Sequence, residues 1–584
     1  MDFFENVLSG TDRFKRIKKA EDRGTYPIQL NGCVDSQICH MMTMLAKDKR
    51  LKLIVTYSEE RARKLYDDLR SFDRHLMLYP AKDALFFSAD IHGSITQLQR
   101  LEIIKEIVMN GSATVVTTID GGLDRVIPLE VYKRFLITVN VSDTLDFKAF
   151  AVKLTELGYE RKHMVDSPGQ YAIRGGIMDV YPVGEESPVR IELWDDEVDT
   201  IRSFDVDSQR SIEQLDRIDI FAATEMPMYD HTKYTGREAI EAEYDIAYKH
   251  FLDEKMNSEA YNLKDSISRV LDMLETDRLE AGIDSFISYF YDETVSLIDY
   301  FNGDDGAIFY DEPSWILEAL SEKANEFNIS MDGRLKSGYI LEGQKDIYFK
   351  EDEIIEKLKQ GAAYYFSRIG YDEERLPSAF AEEVRVSATN TYKNHMDILI
   401  RDMKKWQKDG YRILFLSPSS SRAARLAREL EENDINAYFA KEPKDEVLPS
   451  KTLVTVGSLS SGFIYLDEKV AILSEDDIIR NKRKRKRRIK PRYKGDVIKN
   501  FDDLNIGDYV VHEDRGVGIY RGIVSKTFDD VSSDYISIEY AGGAMFYINV
   551  NGMDRGQRYA GGESNKAGEA GLCLRSGYDL ADGI

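Results

Sequence analysis

Apolar runs of period two and stretches of helical period alternate along the chain, and their order predicts its architecture. Between Gln170 and Ser211 the pattern is that of strands joined by tight turns. Ile177–Tyr181 is a β-rich run set off by Gly175-Gly176 on one side and Pro182 on the other. Val189–Trp194 alternates Arg190 and Glu192 against Ile191 and Leu193, as a half-buried strand does. The acidic turn Asp195-Asp196-Glu197 leads into a third strand, Val198–Phe204. The outward positions of this small sheet are Arg174, Arg190 and Trp194, a mixture typical of protein-docking hot spots rather than of catalysis. An ordinary antiparallel sheet with a solvated face has the same composition.

Residues 27–140 alternate strand and helix, which predicts an α/β layer with a parallel sheet. Leu53–Tyr57 is a strand, and Ser58 caps a helix reaching Leu69 with Glu59 and Glu60 in its first turn. Ser94–Gln97 is a capping-box pattern for a helix whose apolar face is Ile95, Leu98, Leu101, Ile104 and Val108. Ala113–Thr118 and Phe135–Val139 read as further buried strands. Residues 212–306 are acidic and largely helical, with Phe286, Tyr289 and Phe290 as core aromatics. A strand-bearing connector with a helix at Glu351–Gln360 follows. The α/β rhythm then returns in helices Met396–Lys408 and Arg422–Glu432 and in strands at Arg412–Ser417, Ala437–Phe439, Thr452–Val456 and Val470–Leu473.

The first strand-to-helix junction, Ile28 to Cys39, lies where a nucleotide-binding α/β domain carries its phosphate loop. After Gly32, the positions for a second glycine, a lysine and a serine or threonine hold Gln37, Ile38 and Cys39. No G-x-x-x-x-G-K-[ST] occurs in the chain. At Ala307–Pro313 an apolar strand ends in Asp311-Glu312. This is either the acidic pair of an ATP-dependent helicase or nuclease subunit or a plain strand-end turn.

Composition narrows the class. The 584 residues suggest roughly three to five domains. No stretch approaches the ~20 apolar residues of a membrane span, so no membrane partner is expected. The first twenty residues lack the apolar core of a secretory signal, and three scattered cysteines fit a reducing cytoplasm. A net charge of −25 argues against a chain-wide nucleic-acid surface. The exception is Lys482–Lys494, with ten basic residues in thirteen. It is either an extended linker or a tether whose Lys482, Arg483, Lys484, Arg485, Lys486, Arg487 and Arg488 contact DNA phosphates weakly. From Asn505 to about Val550, short Val, Ile and Tyr strands between Gly and Asp turns predict a small antiparallel barrel with an exposed strand edge. After Arg555 the periodicity collapses into what reads as a tail.

Three stretches together carry a resemblance: the eroded phosphate loop, the RGGIMDVYP…PVRIELWDDEVDTIRSFD block and the IGDYVVHEDRGVGIYRGI block. In this order they resemble the N-terminal half of the bacterial transcription-repair coupling factor family, Mfd. The resemblance implies a multidomain α/β chain. Residues 1–142 would be a degenerate, nucleotide-free α/β domain similar to that of UvrB, and 143–212 a small β-rich UvrA-docking domain inserted in it. A helical remainder at 213–330 and a second α/β domain with its connector at 331–479 follow. A basic linker at 480–498, a CarD-like RNA polymerase-interacting barrel at 499–560 and an aberrant tail at 561–584 complete the chain. UvrA would dock on Arg174, Arg190 and Trp194. The β subunit of RNA polymerase would be gripped through Ile519, Tyr520, Arg521, Gly522, Ile523, Val524 and Lys526. In the family an ATP- and magnesium-dependent DNA translocase follows the barrel. The sequence stops before it, so a truncated or frame-shifted product, without catalytic residue, metal or cofactor, is the expectation. The short Tyr79–Ser94 segment is not expected to supply the aromatic DNA-opening hairpin of UvrB.

Overall fold

The computed structural model describes residues 8–478 apart from 74, 83–90, 277–281, 370–372, 391, 393–394 and 442–446; beyond 478 it describes the strand residues named below. The chain divides into two compact units, Met1–Asn481 and Lys482–Ile584.

In the first unit β1 (Ile28–Asn31), β2 (Leu51–Thr56), β3 (Leu76–Leu78) and β4 (Ala113–Thr118) run parallel. β2 is covered on both faces: Leu53 and Val55 enter one apolar core and Ile54 another. Ser58 caps the following helix, Glu59–Leu69, its hydroxyl accepting from the Arg61 amide at 3.3 Å. The helix predicted to begin at Ser94 begins earlier, at Ile91, and runs through Gly93 to Asn110. Most of Tyr79–Ser94 lies outside the described residues.

The chain then leaves the sheet. β5 (Ile137–Asn140) pairs antiparallel with β12 (Arg217–Ile220), and only Val139 of β5 is buried. The run Phe135–Val139 is therefore the stem of an insertion, not a strand of the parallel layer. The insertion holds the helix Phe147–Glu156 and a six-stranded sheet. Its strands are β6 (Glu160–Arg161), β7 (Gln170–Arg174), β8 (Ile177–Tyr181), β9 (Val189–Trp194), β10 (Glu197–Phe204) and β11 (Ser211–Leu215), paired in sequential order. One sheet face buries Met178, Val180, Val189, Ile191 and Ile201 against Phe147, Phe150 and Leu154 of that helix.

Helices Asp230–Asp253 and Asn257–Thr276 return the chain to the body, where Phe286 and Phe290 are core residues. β13 (Gly306–Asp311), β14 (Ala363–Ser367) and β15 (Phe380–Glu383) complete a seven-stranded parallel sheet of order β15-β1-β14-β13-β2-β4-β3. This corrects the boundary expected at residue 330. β14, buried along its whole length, sits between β1 and β13, so residues up to 383 belong to the first α/β layer. Its run Ala363-Tyr-Tyr-Phe-Ser lacks the alternation that marks a half-exposed strand.

The second α/β sheet consists of β16 (Val386–Ala388), β17 (Arg412–Ser417), β18 (Ala437–Phe439), β19 (Thr452–Val456), β20 (Phe463–Tyr465) and β21 (Val470–Ser474). Ile413 and Phe415 pack under helices Met396–Lys408 and Ser420–Glu432. Leu414 and Leu416 point the other way, into a core shared with Ile38, Met42 and Leu65 from helices of the first layer. The two α/β layers thus have one continuous apolar core between them.

The second unit is an eight-stranded sheet: β22 (Gly495–Val497), β23 (Tyr509–His512), β24 (Gly516–Phe528), β25 (Val531–Glu539), β26 (Met545–Asn549), β27 (Gly556–Ala560), β28 (Ala570–Leu574) and β29 (Asp579–Leu580). All pairings are antiparallel except β23 with β28. The stretch expected to be a tail contributes β28 and β29. Ladder hydrogen bonds are made by the backbone, so Ala570–Leu574 pairs although its sequence, Ala-Gly-Leu-Cys-Leu, lacks the apolar–polar alternation of a half-buried strand.

Candidate docking site

The inserted sheet turns its second face outward, and its polar residues are organised around one carboxylate. Asp179, in the middle of β8, is only 1% exposed. Arg190, directly opposite on β9, donates to both its oxygens, Nε at 2.7 Å and Nη2 at 3.0 Å. Arg174, from the end of β7, donates to it from the other side. Arg190 also donates to Gln209 Oε1 at 3.0 Å and lies 4.5 Å from the centroid of the Phe204 ring. The Asp179 hydrogen bonds raise the Arg190 pKa further above its ordinary value, so the guanidinium is charged throughout the accessible pH range. A second pair, Arg202 with Glu192, continues the row one strand further.

Trp194 ends β9 on the same face, opposite Glu197. The turn between them carries Asp195 at φ 63°, the left-handed conformation that tight hairpin turns require. Trp194 is 80% exposed, although its indole is the largest apolar surface on the sheet. An exposed indole on the same sheet face as fixed guanidinium groups has the chemistry that partner pockets take up. The structure therefore brings Arg174, Arg190 and Trp194 to one face. Sequence reasoning missed Asp179. The available signal was an acid inside the apolar run Ile-Met-Asp-Val-Tyr, where strands exclude carboxylates unless they are paired.

The segment from Gly32 to Cys39 is closed by its own contacts. Gly32 adopts φ 76°, and a Cβ there would meet the Val384 carbonyl at 2.6 Å. Gln37 Nε2 donates to Tyr465 Oη at 3.2 Å, and Ile38 and Cys39 are buried, with burial pushing the Cys39 thiol well above its ordinary pKa. Asp35 opens the helix Asp35–Leu45, so its carboxylate lies in the first turn of the helix that follows β1. Lys64 Nζ lies 3.3 Å from it, Arg368 Nη2 3.1 Å and Arg61 Nη1 3.6 Å. Burial opposes ionisation of Asp35, but Lys64 and Arg368 outweigh it and hold the carboxyl below its ordinary range. Asp311, fully buried, is clamped by Arg61 at 2.7 and 2.8 Å and by the Thr56 hydroxyl at 2.8 Å. Glu312 accepts from the Arg368 amide. Three cations thus face three carboxylates, and the acidic pair is bound within the protein. Among the described residues no group of His, Cys, Asp or Glu has the arrangement of a metal site. No helix among them is long and apolar enough to cross a membrane.

In the second unit β24 pairs with β25 from Ile519 to Phe528, with a register shift at Arg521, while β23 covers only Gly516–Ile519 on its other side. Ile519 is consequently a doubly paired residue. Tyr520, Gly522, Ile523, Val524 and Lys526 lie on the length of strand with a ladder on one side among the described residues, and Arg521 is exposed. The basic run Lys482–Lys494 lies outside the described residues.

A family model described as the UvrB interaction domain matches residues 137–226, from the stem strand β5 to the segment just beyond β12. A second, the CarD-like/TRCF RID domain, matches residues 504–560. The transcription-repair-coupling factor of Bacillus subtilis is 30% identical over 570 residues, 97% of this chain and 48% of that protein. Those of Staphylococcus haemolyticus and Staphylococcus epidermidis are 27% and 26% identical, covering 88% and 96% of this chain. These matches support the transcription-repair-coupling factor family. The chain spans about half the length of the curated relatives it matches.

Proposed function

We propose that this chain is a docking scaffold of transcription-coupled nucleotide excision repair. Its inserted sheet recruits UvrA, and the strand edge of its second unit grips RNA polymerase through the β subunit. The observation that carries the reading is the rigid Arg174–Asp179–Arg190 cluster beside an 80% exposed Trp194, inside the segment similar to the UvrB interaction domain. These residues contribute attachment and no ATP chemistry, a reading supported by the self-neutralised cluster around Asp35 and Asp311.

Titration of immobilised UvrA with the full chain tests the first half. Arg190→Ala or Trp194→Ala is expected to weaken binding by about 2 kcal/mol, roughly 30-fold. Unchanged affinity in both variants removes the assignment. The second half predicts that Ile523→Arg lowers recovery of RNA polymerase in a pull-down several-fold while UvrA binding is retained. Full recovery with that variant would place the polymerase contact elsewhere.

A further inference from the structure

The hairpin tips that present Trp194 on one side border a groove on the other. The groove is about 1010 Å³ and runs between the helix Phe147–Glu156 and the open ends of β7 and β9. Its floor is apolar: Leu145, Phe147 and Ala151 face Ile173 and Leu193 across it. Val152, at its lip, is 54% exposed, although it is an aliphatic residue on a helix that buries Phe147, Phe150 and Leu154. Gly175 and Gly176 form one wall without side chains, which keeps the groove open.

The rim is acidic. Five carboxylate residues and three cationic ones line the groove. Of the cations, Lys233 lies 3.8 Å from Asp230. Asp195 and Asp196 stand exposed and adjacent on the hairpin turn, with Glu197 next to them. The Leu145 amide donates to the Asp196 carbonyl at 2.8 Å, which ties the turn carrying both carboxylates to the groove mouth. An apolar floor under a negative rim fits an aliphatic or aromatic side chain flanked by lysine or arginine. The outer sheet face has the opposite character, with an indole beside fixed guanidinium groups.

We propose that UvrA clasps the hairpin tips from both sides, its acidic groups meeting the Arg174–Arg190 face and a cation-flanked apolar side chain entering the groove. The proposal rests on the UvrA reading above and deepens it. Both surfaces belong to one rigid sheet, so the two contacts act as a single interface.

The experiment titrates UvrA with the full chain carrying Val152→Lys, the pair Asp195→Asn and Asp196→Asn, or Trp194→Ala as reference, at low and moderate salt. Val152→Lys sets a cation against the flanking cations of the partner and is expected to weaken binding at least tenfold. The double Asn variant is expected to weaken it several-fold at low salt and to flatten the salt dependence. All altered side chains are exposed, and an unchanged thermal midpoint checks that the fold is intact. Should Val152→Lys and the Asn pair bind as wild type while Trp194→Ala is weak, the groove proposal is overturned and the docking face stands. Loss with Val152→Lys but not with Trp194→Ala overturns the two-sided clasp. Absence of UvrA binding by the unaltered chain overturns both.

Discussion

Replacing Arg100 with methionine is expected to destabilise the first unit by about 3–5 kcal/mol, the range found when one partner of a buried ion pair is removed. Arg100 is fully buried on the helix Ile91–Asn110, with its guanidinium 4.5 Å from the Tyr79 ring centroid. It donates to Asp124, and its Nε lies 3.2 Å from Glu225. Lys82 extends the cluster, 3.0 Å from Glu225 and 2.7 Å from Asp284. Methionine fills similar volume, so a cavity is not the main cost. The cost is two carboxylates left in an apolar core with Lys82 alone. Burial already raises the Asp124 pKa while Arg100 opposes it. Without Arg100 the carboxyl binds its proton more readily in the folded chain than in the unfolded one. The deficit should therefore be largest near pH 7 and shrink as pH falls through the raised folded value. Urea midpoints of wild type and variant at pH 7 and pH 5 measure this. A loss below about 1 kcal/mol at pH 7 would show that the cluster is not structurally decisive. Adding Asp124→Asn to Arg100→Met is expected to restore part of the stability.

The location of that cluster explains why it matters. Glu225 lies where the chain returns from the inserted sheet, just beyond β12, while Asp124 and Arg100 belong to the parallel-sheet body. The cluster thus ties the segment that returns from the inserted sheet to the parallel-sheet body.

Much of the fold was legible because it is written in local periods. The strand Val189–Trp194 alternates apolar and polar residues, and the helices Glu59–Leu69 and Met396–Lys408 carry clear amphipathic faces, so each is placed within a residue or two. What failed was non-local. β14 lies more than fifty residues beyond β13, its parallel neighbour, and no pattern inside it announces that partner. Phe135–Val139 is apolar enough for a buried strand, but it pairs with Arg217–Ile220 outside the parallel layer. β28 pairs with β27 and, in parallel, with β23, about sixty residues before it in sequence. The candidate site shows the same division. Arg174, Arg190 and Trp194 were readable as outward positions, whereas Asp179, which fixes two of them, was hidden inside an apolar strand. Likewise the absence of a lysine after Gly32 is legible in the sequence, but not that Asp35 gathers Lys64, Arg368 and Arg61 around it.

The second large effect concerns Asp179. Its substitution by alanine is expected to cost roughly 2–3 kcal/mol of stability, the scale of hydrogen bonds to charged groups, because Arg190 and Arg174 lose a shared acceptor. Arg190 would retain only Gln209 as an acceptor and its packing on Phe204. Both guanidinium groups would become mobile, and UvrA affinity is expected to fall more than tenfold although Asp179 itself is 1% exposed and cannot touch a partner. Trp194→Ala separates the two effects, since an 80% exposed indole can be removed with little change in folding while binding still falls. Asp179→Asn retains one acceptor oxygen and should lie between wild type and alanine in both measurements. Urea unfolding and UvrA titration on the same three variants check the pattern. If Asp179→Ala lost stability but bound UvrA as wild type does, the arginines would be holding the sheet together rather than presenting it. If it lost affinity with stability intact, the carboxylate would be positioning the arginines without supporting the fold. Loss of both in Asp179→Ala, with loss of affinity alone in Trp194→Ala, is the result that a preorganised docking face requires.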